Sequence, residues 1–300
     1  MDNTWFRRFA EPAPDAPALV CFPHAGGAAS AYAPLARLLA GRLDVLAVQY
    51  PGRQDRRGEA PAGGILDLAA AVAERLPDGT GRPYAFFGHS MGALVAYETA
   101  RILGGRSVPA PVRLFLSGRG APGTGPNRHD RLGDDRAILA AVRVLGGTDA
   151  SVLDDPELVD MVLPALRADY GALASYTWQP GPALDIPITV LVGDSDPVVP
   201  VSSVAGWAQQ TRLDNDVRVF TGGHFYLSDQ LAEVAGTIVG HLETRHGGRS
   251  GIQDSGPAGS IGGRTDTGSR GVQAARGARS PAPAGEPGGG HQRTAGRTLA

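Results

Sequence analysis

A serine stands at the centre of Gly88-His89-Ser90-Met91-Gly92, a G-x-S-x-G pattern preceded by the apolar run Tyr84-Ala85-Phe86-Phe87 and followed by Ala93-Leu94-Val95-Ala96-Tyr97. Strand, turn and helix in that order would hold the serine on a sharp, strained turn with its hydroxyl exposed. Gly88 and Gly92 suit such a turn because neighbouring segments must pass close to it. In a chain with 43 glycines the pattern alone is weak, so the weight rests on its place at a strand-helix junction.

A serine hydroxyl is a poor nucleophile at neutral pH and needs an imidazole to take its proton, which in turn needs a carboxylate to orient it. On this scaffold both follow the serine, acid before histidine, on loops after the last strands. His224 lies in Gly222-Gly223-His224-Phe225, directly after the apolar segment 217–220, and is the candidate base. For the acid, Gly193-Asp194-Ser195-Asp196-Pro197 follows the segment 188–192 and offers Asp194 and Asp196. Pro197 biases Asp196 toward an extended backbone, whereas Asp194 has the short side chain that caps turns, an argument that favours Asp196. The oxyanion of acyl transfer would be met by two backbone N–H groups: that of Met91, the residue after the nucleophile, and that of Ala25, in the loop Pro23-His24-Ala25-Gly26-Gly27 after the segment 18–22. His24 is expected to fix that loop and His89 to be a packing or hydrogen-bonding neighbour rather than a second base. Cys21, in an apolar run, is expected in the core.

Positioning these groups requires a parallel sheet. The segments 18–22, 45–50, 84–87, 112–117, 188–192 and 217–220 are short and apolar enough to be strands covered on both faces. Between them Ile65, Leu68, Ala69, Val72 and Leu76, and later Leu231, Val234, Ile238 and Leu242, repeat at helical spacing. The block 119–182 breaks the alternation: helical pieces at 138–145 and 158–166 follow one another without a strand, as expected of a lid inserted over the strand ends. The sequence thus predicts an α/β fold, mostly parallel with helices on both faces, over residues 1–246. The segment 247–300 holds 15 Gly, 7 Arg and no Phe, Tyr or Trp, a composition expected to stay disordered.

Composition excludes several other chemistries. All 28 basic residues are arginine, so Schiff-base and pyridoxal chemistry and phosphate loops that need a lysine are ruled out. One cysteine supports neither a disulfide nor a Cys-rich zinc site, and no metal or cofactor is expected. A net charge of −2 gives no field for nucleic acid or an anionic membrane. Without a signal-like or membrane-spanning apolar run, a soluble cytoplasmic protein is expected.

Taken together, Phe22-Pro23-His24-Ala25-Gly26-Gly27, Tyr50-Pro51-Gly52-Arg53, Phe87-Gly88-His89-Ser90-Met91-Gly92-Ala93, Leu166-Arg167-Ala168-Asp169, Gly193 through Pro197 and Gly222-Gly223-His224-Phe225 resemble the type II, stand-alone editing thioesterases of polyketide and nonribosomal peptide assembly lines. The resemblance spans the whole domain and implies an α/β-hydrolase fold with a helical lid. It implies Ser90 as nucleophile, Asp196 as orienting acid, His224 as base, and Ala25 and Met91 as oxyanion donors. It also implies a substrate, an acyl or aminoacyl thioester on the phosphopantetheine arm of an acyl or peptidyl carrier protein, with that carrier as partner. The tail at 247–300 departs from the family, whose members generally end soon after the last helix. Two other functions fit the same residues: a carboxylesterase or lipase, since the scaffold does not fix the leaving group, and a non-catalytic carrier-binding scaffold.

Overall fold

Among the described residues seven strands form one sheet in the spatial order β1-β3-β2-β4-β5-β6-β7: β1 (Phe6–Arg7), β2 (Ala18–Phe22), β3 (Asp44–Val48), β4 (Tyr84–His89), β5 (Leu114–Ser117), β6 (Ile188–Gly193) and β7 (Asn215–Phe220). β1 pairs antiparallel with β3, Phe6 opposite Val48; every other pairing is parallel. The structure, a computed structural model, describes residues 4–76, 82–124, 127–148 and 150–247. The expected tail therefore lies, but for Gly247, outside the described residues.

The helices are α1 (Ala33–Leu38), α2 (Ile65–Arg75), α3 (Met91–Gly104), α4 (Asp135–Leu145), α5 (Ala150–Asp154), α6 (Pro156–Ser175) and α7 (Leu231–Gly247). Strand side chains alternate between two layers, as the pleat requires. On one face Val20, Phe22, Leu46, Val48, Phe86 and Leu116 pack with Ile65, Leu68 and Val72 of α2 and Leu94 and Tyr97 of α3. On the other, Leu19, Cys21, Val45, Ala47, Phe87 and Phe115 pack with Leu35 of α1 and Val234, Ile238 and Leu242 of α7. This is the mostly parallel α/β architecture the alternation of segments predicts, and it agrees with the α/β-hydrolase fold the resemblance implies. β7 differs from expectation: it is the sheet edge, and Val217 and Val219 are exposed rather than covered on both faces. β1, too short to carry an alternating pattern, has no counterpart among the expected strands.

Among the described residues the lid holds the α-helices α4, α5 and α6. Asp134 caps α4, accepting from the Ala137 N–H at 2.8 Å. Asp155 caps α6 on the N–H groups of Glu157 and Leu158, with Pro156 in the first turn, where its missing N–H costs nothing. Ile138, Val142, Leu153, Leu166 and Tyr170 turn inward and join the first apolar layer. Among the described residues no helix is long and apolar enough to cross a membrane.

Candidate active site

The strand order reverses between β2 and β4, so the loops leaving their carboxyl ends diverge and open a crevice. Ser90 sits at that point, as the residue between β4 and α3, with φ 54° and ψ −117°. This is a left-handed, sparsely populated conformation for a residue with a side chain. What holds it there is close packing and one backbone bond. A Cβ added to Gly92 would lie 2.0 Å from the Phe22 carbonyl oxygen, so only glycine lets α3 start this close to the end of β2. The Ser90 N–H donates to the Ser117 carbonyl at 2.8 Å.

Asp196 and His224 arrive on the turns after β6 and β7, which are laced together. The Asp194 N–H donates to the Phe220 carbonyl at 2.8 Å, the Ser195 N–H to the Gly222 carbonyl at 3.0 Å, and the Asp194 Oδ1 accepts from the Gly222 N–H at 3.0 Å. Within this frame His224 Nδ1 lies 2.7 Å from Asp196 Oδ2, and His224 Nε2 lies 2.9 Å from Ser90 Oγ. The second carboxylate oxygen of Asp196 accepts from the Val198 and Val199 N–H groups at 2.8 and 3.1 Å, so this buried side chain is satisfied on both oxygens. With Asp196 fixed as acceptor, the tautomer protonated at Nδ1 is favoured, leaving Nε2 a lone pair toward the serine. Asp194 does not meet His224; it braces the turn, accepting from the Ser195 hydroxyl as well as from Gly222.

Of the two residues whose backbone groups are expected to receive an oxyanion, Met91 directly follows Ser90 and Ala25 borders the same small space as Ser90. Met91 is the first residue of α3, and its N–H has no carbonyl one turn back within the helix. Ala25 lines, with Ser90, His224, Val142 and Leu145, a space of about 20 Å³ under the lid. That holds about one water and no acyl chain. A larger cavity of about 730 Å³, lined by Leu94, Ala121, Leu173, Trp178 and Val199 among others, opens on the β5–β6 side of the lid, and Ser90 does not line it.

The other two histidines of the cluster are kept neutral. His89 Nδ1 lies 2.9 Å from Ser117 Oγ, which lies 2.6 Å from the Tyr226 hydroxyl. Burial and the nearby His224 and His24 hold His89 well below the usual imidazole range. His24 packs edge-on against Phe225, and burial, with the charges of His224 and Arg53, pushes it down to about 4. Cys21 is fully buried in β2. Among the described residues no group of three His, Cys, Asp or Glu is placed to hold a metal.

Arg53 and Asp169 stand in two of the motifs, yet nothing in the sequence gives either a role. They form a buried ion pair, and Asp169 Oδ2 also accepts from the Gly26 N–H at 2.7 Å. One signal was available: Asp169 falls on the stripe Leu163, Leu166, Tyr170 and Leu173, where a charged residue is out of place unless paired.

The sheet and its helices define the chain as an α/β-hydrolase-fold protein, with a strained serine at the switch point in line with an imidazole and a buried carboxylate. The family described as "Thioesterase domain" matches residues 17–242, and the chain belongs to it; it is a thioester hydrolase. Thioesterase PikA5 of Streptomyces venezuelae is 46% identical over 245 residues, 81% of this chain and 87% of that protein. The type II thioesterase BorB from the borrelidin biosynthetic cluster superposes with a TM-score of 0.73 at 43% identity, covering 81% of this chain and 99% of that one. RedJ, a thioesterase from the prodiginine pathway of Streptomyces coelicolor, superposes with a TM-score of 0.69 at 39% identity, over 78% and 88% of the two chains.

Proposed function

We propose that this enzyme hydrolyses acyl or aminoacyl thioesters carried on the phosphopantetheine arm of an acyl or peptidyl carrier protein, as a type II thioesterase of a polyketide or nonribosomal peptide pathway. The observation that carries the reading is the hydrogen-bonded relay from Ser90 through His224 to Asp196, in a chain similar to PikA5 and BorB.

In this reading Ser90 Oγ attacks the thioester carbonyl while His224 Nε2 takes its proton. The carbonyl oxygen becomes an oxyanion between the Ala25 and Met91 N–H groups, and Asp196 stabilises the imidazolium that forms. The tetrahedral intermediate collapses with loss of the pantetheine thiolate, which is protonated from His224, and leaves an acyl-serine. Water, deprotonated by His224, repeats the addition and releases the free acid. The reaction calls on no metal or cofactor, because the pantetheine arm arrives with the substrate. The narrow space over Ser90 requires the segment containing Val142 and Leu145 to move aside before an acyl chain enters.

A substrate panel tests the assignment. Short acyl-pantetheine thioesters and acyl-carrier proteins are expected to be hydrolysed well above matched oxygen esters, with free acid as product by mass spectrometry. A fluorophosphonate is expected to label wild type and spare Ser90→Ala and His224→Ala. A preference for oxygen esters would favour a carboxylesterase, and an unlabelled wild type a non-catalytic carrier-binding scaffold.

A further inference from the structure

We infer that His24 is a catalytic residue of the second half-reaction, holding against His224 the water that hydrolyses the acyl-Ser90 intermediate. This rests on the proposed reading that Ser90 is acylated.

Among the described residues neither ring nitrogen of His24 makes a hydrogen bond, so its side chain does not fix the loop 23–27 as expected. That loop is closed by its own backbone, the Gly27 N–H donating to the His24 carbonyl at 2.9 Å. What holds the ring is packing. A Cβ on Gly27 would lie 2.9 Å from Cε1 and 3.0 Å from each ring nitrogen, near-equal distances that set Gly27 over the ring face. Phe225 stands at 78° to the imidazole with centroids 4.8 Å apart. Both contacts fix the plane of the ring without a hydrogen bond.

This imidazole borders the space of about 20 Å³ that Ser90, His224 and Ala25 also line. A water needs about 10–15 Å³ of such volume and two to four polar partners. Ser90 Oγ and His224 Nε2 supply two, and His24 a third. Thr148 and Tyr170 line the space as well, but from the lid; His24 stands on the loop after β2, on the core side with the relay. Burial, with the charges of His224 and Arg53, pushes His24 down to about 4, so at neutral pH its ring carries one N–H and one lone pair in either tautomer. It therefore leaves proton transfer to His224 and is free to accept a hydrogen bond.

In the acyl-enzyme the water oxygen adds to the acyl carbon as one of its hydrogens passes to His224 Nε2. The other, bonded to the His24 lone pair, stays on that oxygen. His224 then gives its proton to Ser90 Oγ as the bond from Oγ to the acyl carbon breaks, and the free acid leaves. Two acceptors, one for each hydrogen, orient the water before it reacts. Acylation consumes no water, so removing His24 acts on one half-reaction alone.

Rapid-quench intact mass spectrometry with excess short acyl-pantetheine separates the steps: thiol released in the first turnover reports acylation, and the mass of acyl-Ser90 reports its decay. His24→Phe keeps a ring and loses both nitrogens. Deacylation is expected to slow about 30-fold with acylation within about threefold, so that acyl-Ser90 accumulates. Once deacylation limits turnover, kcat and KM fall together while kcat/KM holds, because that ratio ends at acylation. His24→Gln, which keeps a side-chain acceptor, is expected to recover at least about fivefold of the loss. If His24→Phe does not fold, His24→Leu is read the same way. A deacylation loss at least about tenfold greater than the acylation loss supports the inference. A smaller ratio, which a merely structural role would give, or an unchanged deacylation rate overturns it. Ser90→Ala runs alongside: an acyl adduct that persists on it shows that the assignment of Ser90 has failed rather than that of His24.

Discussion

Replacing Asp196 by asparagine exchanges an acceptor oxygen for an NH₂ donor with almost no change in volume, yet the site geometry makes it severe. Asp196 Oδ1 accepts from Val198 and Val199, an arrangement asparagine preserves by placing its carbonyl oxygen there. The amide nitrogen is then forced into the position of Oδ2, 2.7 Å from His224 Nδ1. An NH₂ group donates, so the imidazole must accept at Nδ1 and carry its proton on Nε2, 2.9 Å from Ser90 Oγ. A protonated Nε2 cannot take the serine proton. The same substitution in a Ser-His-Asp triad costs about 10⁴ in kcat, or about 5.5 kcal/mol of barrier at 1.36 kcal/mol per decade. The expected result is therefore a folded enzyme with kcat on acyl-pantetheine down about 10⁴-fold, KM within a few-fold, and fluorophosphonate labelling slowed in step. Asp194→Asn is the matched control: Asp194 meets Gly222 and Ser195 and not His224, so kcat should stay within about threefold. Retention of more than a tenth of kcat by Asp196→Asn, or greater damage from Asp194→Asn, would refute the tautomer argument.

Two further outcomes follow from the packing and charge around the serine. Gly92→Ala places a methyl 2.0 Å from the Phe22 carbonyl oxygen, which is backbone and cannot swing away; a loss of about 3 kcal/mol in urea unfolding is expected, with labelling of Ser90 reduced in whatever folds, and a variant of wild-type stability would show that the elbow tolerates a shift. His24, free in the unfolded chain to titrate near 6.5, is held at about 4 in the fold, so between these values the unfolded state binds more protons and stability falls as pH is lowered from about 6.5 toward 4, then levels off for this group. His24→Phe should lessen the fall of melting temperature over that window by up to about one proton's worth of slope; superimposable slopes for wild type and variant would contradict a neutral, buried His24.

That Ser90, Asp196 and His224 converge was legible because each follows the end of a strand, and a short run of β-branched or aromatic residues announces that end in sequence. Ser90 follows Phe86 and Phe87, Asp196 follows Val190 and Val192, and His224 follows Phe220, so the run of β-branched and aromatic residues fixed the carboxyl side of the sheet before any distance was known. The lid was legible in outline for the opposite reason, as helical spacing with no strand between. What escaped had no period to betray it. β1 is two residues long, and the exposure of Val217 and Val219 depends on β7 being the edge, a property of strand order rather than of β7's composition. Arg53, Asp169 and Gly26 meet at one carboxylate oxygen although they stand in three separate motifs, the two side chains 116 residues apart. A single sequence shows such a contact only as an anomaly, a carboxylate on the apolar stripe of α6 that is affordable in energy terms only with a buried arginine opposite. That anomaly is itself a way to read other chains: a charged residue placed where burial is certain marks a partner to be looked for near the site that the surrounding elements enclose.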